Sequence, residues 1–411
     1  MDVELKPGRA VCRYKEAARR TGFLKFTSLW LLSLGLLSVW LLSVDATVST
    51  AAAAVSDRSW STQGYIYLQS SYVDAFNASD EPNFSHHVKI EATGSYSLTQ
   101  DSDLGAKAKL QLAQGDWDDR LSVFINNSFG NLELGSQRQI SYLRTVEPPN
   151  FIAGFTQWDN KYSNLLRDAL VIKNPSGEYI ARLDEVHSTP LPQYISDDEL
   201  KLTYTSPQVS GVTMGVSYAV ENDKKPSLNS NGFASGNQEN IIAYHVDFER
   251  EIENINLRVS YDFTKGENTN GSDGLNSDMN PVSLADMDDP STEIMGVALA
   301  YQDFSVGINS VHFQNHTGLA PRDIEALALG ARYRMNETTI GFGMMSSKEP
   351  ASQYRAGVNY EEFIVGITRA LPFNLALGLY YQDAEATYRS ESGVAMSRDA
   401  SVVALTVAVN F

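Results

Sequence analysis

Cysteine is almost missing from this 411-residue chain: the single one is Cys12. An exported chain without thiols has no disulfide framework, so its stability must come from backbone pairing and burial. Long apolar runs are nearly missing as well. A helical membrane protein needs repeated runs of about twenty apolar residues, and only one is present, from Leu24 to Val44. Positive charge is scarce, with 32 Lys and Arg against 50 Asp and Glu for a net charge of −18. Nucleic acid is therefore excluded as a partner, because phosphate contacts need Lys/Arg surfaces. There is no GxSxG elbow and no P-loop pattern. His86-His87 and His312 have no H-x-x-x-H spacing or cysteine partner that would make a metal site. The expectation is a protein that is not an enzyme, holds no metal and takes no cofactor.

The one apolar run has a distinct context. Arg9, Arg13, Lys15, Arg19, Arg20 and Lys25 surround its start, and Ala51-Ala52-Ala53-Ala54 follow it. A basic region, an apolar region and a small-residue exit predict a secretory signal peptide over residues 1–53, with a mature chain of 54–411. An uncleaved membrane anchor is the alternative. Residues 1–53 hold seven Lys/Arg and four Asp/Glu, so their removal takes the net charge from −18 to −21. Cys12 would leave with them.

From Ser61 onward the hydropathy period is two. His87-Val88-Lys89-Ile90-Glu91-Ala92-Thr93, Leu104-Gly105-Ala106-Lys107-Ala108-Lys109-Leu110 and Asn256-Leu257-Arg258-Val259-Ser260-Tyr261 alternate without a break. Such alternation predicts strands with one polar and one apolar face, a pattern that a soluble sandwich shares. Length separates the two cases. Many segments run about nine to fourteen residues, whereas soluble strands average about five or six and tilted transmembrane strands need roughly nine to eleven. Charges at Lys89, Lys107, Lys109, Arg258, Arg332 and Arg334 fall on the polar faces, as a water-filled lumen requires.

Sixteen strands are expected, near 61–73, 85–98, 103–115, 119–127, 131–139, 198–206, 211–221, 239–250, 253–264, 291–302, 304–314, 323–335, 338–347, 354–370, 373–384 and 398–411. Parity changes near Glu361, which predicts either a bulge there or a division of 354–370 into two pieces, so that the count is sixteen or eighteen. Tyr96, Tyr204, Tyr218, Tyr261, Tyr301, Tyr333 and Tyr360 are expected on apolar faces. Short turns alternate with long polar connectors, the longest running from Ile140 to Glu199. Short turns on one rim and long loops on the other describe an all-β transmembrane antiparallel barrel. Lipid leaves no other choice, because an open sheet edge would strand unpaired backbone groups. The acidic stretch Lys265–Pro290 lacks EF-hand spacing and reads as a solvated loop, with calcium held by its carboxylates as the alternative.

Three stretches carry a resemblance. Ser128-Phe129-Gly130-Asn131-Leu132-Glu133-Leu134-Gly135 and Leu202-Thr203-Tyr204-Thr205-Ser206-Pro207-Gln208-Val209-Ser210-Gly211 resemble motifs of the Gram-negative general porin family, in the same order and with a long third loop between them. The ending Val403, Leu405, Val407, Val409 and Phe411 resembles the signal read by the barrel-assembly machinery. The sequence departs from the family at Ser136, where an arginine usually stands, and it has no clear acidic signature in the loop.

The resemblance implies an outer-membrane homotrimer of about sixteen-stranded barrels, in contact with outer-membrane lipid and lipopolysaccharide. It implies a third loop, residues 140–199, folded into the lumen, where its carboxylates face bases on the wall. On this sequence those roles fall to Asp159, Asp168 and Asp184 on the loop and to Lys89, Lys107, Lys109, Arg138 and Lys201 on the wall. The implied function is a diffusion channel for small hydrophilic solutes and ions. A substrate-specific channel and a secreted all-β adhesin are the alternatives.

Overall fold

The computed structural model describes residues 58–75, 83–113, 116–152, 170, 172–173, 179–181, 199–221, 238–268, 274–275, 281–282, 289–314, 323–350, 357–389 and 395–411. Residues 1–53, expected to be a signal peptide, and Asp159, Asp168 and Asp184 lie outside them.

Sixteen antiparallel strands close into one barrel. The first half comprises β1 (Arg58–Ala75), β2 (Asn83–Thr99), β3 (Ser102–Ala113), β4 (Asp116–Asn127), β5 (Gly130–Ser136), β6 (Leu200–Thr205), β7 (Val212–Glu221) and β8 (Gln238–Ile252). The second half comprises β9 (Ile255–Asn268), β10 (Ser291–Tyr301), β11 (Phe304–Gln314), β12 (Ile324–Met335), β13 (Thr338–Glu349), β14 (Gly357–Leu371), β15 (Leu375–Arg389) and β16 (Ala395–Asn410). Each strand pairs with its chain neighbour, and β16 closes on β1 from Tyr65↔Asn410 to Ala75↔Ala400. No edge is left for lipid to meet. One helical turn, α1 (Ile140–Arg144), follows β5.

The burial pattern is inside out. Apolar residues on the outer face stay accessible, with Leu121 at 65% and Met295 at 56%. Inward residues of the same stretches of wall, Ser122, Thr292 and Asn309, are buried. A soluble sandwich would hide the leucines and expose the polar groups; a barrel in lipid does the reverse. The outward face turns polar toward the long-loop rim. There Glu293, His312, Glu325 and Lys348 are successive cross-strand partners on β10–β13. Tyr96, Tyr204, Tyr218, Tyr261, Tyr301 and Tyr333 face outward as expected, whereas Tyr360 points inward and is buried.

Turn chemistry sets the other rim. Glu253 and Asn254 both take positive φ, 50° and 70°, between β8 and β9. This two-residue geometry matches the twist of paired strands. Two glycines of the first porin-like motif are required by space. A Cβ on Gly130 (φ 128°) would strike the Thr205 carbonyl, and one on Gly135 (φ 154°) would strike the Leu121 carbonyl and Ser122 backbone. The strand expected over 131–139 ends at Ser136, since past Gly135 the chain turns into the lumen. β5 and β6, with seven and six residues, are the shortest strands of the barrel.

The bulge expected near Glu361 is not there. β14 keeps an unbroken register with both β13 and β15. The two adjacent acids lie on opposite faces: Glu361 points outward, while Glu362 points inward and accepts hydrogen bonds from Gln382 (2.7 Å) and Tyr360. The ladder shifts instead between Ser97 and Thr99 and between Glu239 and Ile242.

Candidate functional site

The segment after β5 lies along the inner wall, held by side chains from strands far away in sequence. Lys201 on β6 donates to the Gln137 carbonyl (2.7 Å). The Ile140 amide donates to Ser217 on β7 (2.8 Å), and the Gln139 side chain donates to Thr264 on β9 (3.3 Å). Arg144 reaches Asp247 on β8 (3.3 Å), Thr145 reaches Asp262 on β9 (2.9 Å), and the Val146 amide reaches Ser260 (2.8 Å). Further round, Arg332 on β12 donates to the Asn150 carbonyl (3.0 Å) and Thr368 on β14 to the Phe151 carbonyl (2.8 Å). Tyr388 on β15 donates to the Leu170 carbonyl (3.1 Å). The wall thus satisfies backbone groups that burial would otherwise leave unpaired.

The segment sits this close because the wall beneath it has no side chains in the way. A Cβ on Gly215 would lie 2.5 Å from Ile140, and one on Gly296 would collide with the Val146 backbone. Gly307 and Gly330, cross-strand partners, lie under Glu147 and Pro148. Gly341 and Gly366, also partners, lie under the Phe151 ring. Phe151, Ile152 and Leu170 then join Met345, Val358, Tyr360, Ile364 and Tyr380 in an apolar cluster inside the barrel. Packing and backbone capture together bind the loop to the β7–β15 side.

The opposite wall, β2–β5, carries cations. Lys89 (β2), Lys107 and Lys109 (β3), and Arg120 (β4) share the inward face, with Lys109 and Arg120 as cross-strand partners. Lys109, Lys89 and Arg138 all act electrostatically on the ring of His87, which therefore marks where they converge. Lys89 pairs with Glu91 at 2.7 Å, and Lys107 pairs with Glu133 at 2.7 Å. Ser122 also donates to Glu133 (2.5 Å), and the Lys107 ammonium lies 5.0 Å from the Phe124 ring centre. Lys89 and Lys107 keep 28% and 39% of their side chains accessible, so both present charge to the lumen.

Of the basic residues expected on the wall, Lys89, Lys107, Lys109 and Arg138 lie together. Arg138 sits just past β5, in the turn into the loop, rather than on a strand. Lys201 is placed differently. It is 1% exposed and bound to Glu199 (3.0 Å) and to the Gln137 carbonyl, which makes it a fastening for the loop entrance. Arg120 was missed by the sequence reading, although its alternation with Leu121 and Ser122 marks it as inward. The loop acids Asp159, Asp168 and Asp184 are outside the described residues. Phe411 pairs with Gly64 through both backbone groups (2.9 and 3.0 Å), with its ring over that glycine.

Comparison with known proteins agrees with this geometry. The family model described as Gram-negative porin matches residues 42–389. Among solved structures, OmpT of Vibrio cholerae in its trimer form is 13% identical, with a TM-score of 0.54 over 86% of this chain and 100% of that one. The anion-selective porin from Comamonas acidovorans is 12% identical, with a TM-score of 0.52 over the same shares. Salmonella typhi OmpF, in complex with daunomycin, is 14% identical, with a TM-score of 0.54 over 86% of this chain and 97% of that one. At these identities the likeness concerns the fold. No curated protein matches the chain in sequence.

Proposed function

The chain belongs to the Gram-negative porin family and forms a diffusion channel of the outer membrane, and from that premise we propose that its narrowest passage runs between the inner loop and the basic wall of β2–β5. One observation carries this reading: the loop is fastened to the β7–β15 side, while Lys89, Lys107, Lys109, Arg120 and Arg138 gather on the side it leaves open. Charges lining a constriction decide which ions pass, and opposed charges across a narrow low-dielectric passage act strongly. Asp159, Asp168 and Asp184 on the loop would supply the opposing sign. Small hydrophilic solutes and ions would pass by diffusion, with no chemistry done on them.

The proposal extends to assembly. Residues 1–53 would be removed as a signal peptide, and residues 140–199 would form the constriction loop. Phe411 would be read by the barrel-assembly machinery. The barrel would work as a homotrimer, in keeping with the trimer form of the Vibrio cholerae relative, and would sit among outer-membrane lipid and lipopolysaccharide.

The test is the zero-current potential across planar bilayers under a salt gradient. Neutralising both Lys107 and Lys109 to Gln is expected to move it toward the cation equilibrium potential. No movement would mean that the basic wall lies outside the narrow passage.

A further inference from the structure

One group in the lumen wall has a geometry that neither lining the pore nor packing explains. His245, on the inner face of β8, lies between two carboxylates: its Nε2 is 2.7 Å from Asp247 Oδ1 and its Nδ1 is 2.6 Å from Asp262 Oδ1. The His245 side chain has no exposed surface, and those of Asp247 and Asp262 are 5% and 1% exposed. The chain of contacts continues at both ends. Arg144, the last residue of α1, donates to the same Oδ1 of Asp247, and Thr145 donates to the other oxygen of Asp262. The series therefore leaves the loop at Arg144, crosses the wall through Asp247, His245 and Asp262, and returns to the loop at the next residue.

The ring faces a carboxylate oxygen at each nitrogen. With both carboxylates ionised each only accepts, so both ring nitrogens have to donate, which only the doubly protonated imidazole can do. The charges then alternate: Arg144 positive, Asp247 negative, His245 positive, Asp262 negative. Their sum is zero, with Arg144 reaching in from a half-exposed position to complete the balance of the buried ring and carboxylates. Among the described residues of the adjoining strands, no other neighbour brings charge to the ring. Its cross-strand partner on β7 is Gly215, flanked by the neutral inward residues Thr213 and Ser217, and β9 adds Ser260 and Thr264 beside Asp262. Glu249, further along β8, is engaged with Arg258 at 3.7 Å.

We propose that the His245 imidazolium is the positioning residue that locks the first turn of the loop to the barrel wall, by holding Asp247 and Asp262 in place for Arg144 and Thr145. The proposal rests on the reading that this loop narrows the channel. Without the ring's positive charge two buried carboxylates face each other with only Arg144 to balance them. The loop's hold on the wall then weakens first where those acids meet it.

The experiment reads attachment apart from conductance. In a Cys12→Ser background, Val146→Cys places a thiol where Val146 is buried against Gly296. Its reaction with a water-soluble thiol reagent reports lifting of the loop. His245→Gln is expected to raise that rate at least about tenfold. Adding Asp262→Asn to His245→Gln restores both the charge balance and an unbroken donor–acceptor series, so the rate is expected to fall back close to that of the His245 protein. An unchanged rate in His245→Gln, or a double variant as reactive as the single one, overturns the proposal. Nitrogen NMR of the His245 ring in the unmodified barrel at neutral pH provides a check that needs no variant: two protonated nitrogens support the proposal and a single neutral tautomer refutes it. If His245→Gln frees the thiol while single-channel conductance stays constant, the lock stands and the constriction reading fails.

Discussion

Phe151 offers the sharpest way to loosen the inner loop without touching the barrel. It is 3% exposed, its ring lies over Gly341 and Gly366, and it packs within the cluster that includes Met345, Val358 and Ile364. Replacing it with alanine removes a buried aromatic ring from a site whose glycine floor cannot rise to fill the space. Truncations of this kind cost about 3–5 kcal/mol, and each 1.4 kcal/mol is about a factor of ten. The attached-to-lifted ratio of the loop should therefore fall by about two to three and a half decades. The strand ladder is untouched and the Thr368 and Arg332 hydrogen bonds to the loop backbone remain, so the barrel should still fold and insert. Single-channel recording is the assay. Phe151→Ala should give frequent excursions to higher conductance from a barrel that still inserts. Records indistinguishable from those of the parent would refute the claim that this contact holds the loop in the passage.

Two further outcomes follow from burial. Lys201→Met should leave Glu199 without its buried cation and cost about 3–5 kcal/mol in chemical denaturation, whereas Lys201→Met with Glu199→Gln should recover most of that; equal losses would mean that the pair does not act as a unit. Val297→Arg, on the outward face of β10, should lower folding stability in bilayers by about 2–4 kcal/mol, and a neutral result would place that face away from lipid.

The barrel was legible because two solvents write the sequence. Lipid outside and water inside force apolar and polar residues to alternate over lengths no soluble strand needs, so strands such as β3 and β12 stand out from composition alone. Misreadings arose where that alternation is interrupted. Glu361 and Glu362 looked like a slip in parity, yet one meets water at the rim and the other is buried against Tyr360 and Gln382. Tyr360 looked like an outward aromatic for the same reason. Lys201 looked like a pore cation, although Glu199 two residues earlier shares its face on a strand and is its natural partner.

The loop's course was not legible, and the physical reason is plain. Its seat depends on Gly215, Gly296, Gly307, Gly330, Gly341 and Gly366, which become a track only once strand registers bring them into line. Its backbone partners Ser217, Ser260 and Thr368, and Thr264, which holds the Gln139 side chain, are ordinary inward residues in the sequence. Nor does spacing reveal that His245, Asp247 and Asp262 converge, since Asp262 belongs to another strand. The basic wall lies between these cases: Lys89, Lys107 and Lys109 announce their inward direction by alternation, but the approach of Lys89, Lys109 and Arg138 to His87 requires the closed barrel.

The central claim is that water and ions pass through this barrel beside an inner loop fastened to one wall. Conductance of the folded protein in planar bilayers tests it most directly. Stepwise insertion events, each of fixed conductance and unblocked by sugars, are the predicted result; folded, inserted protein that conducts nothing would contradict the account.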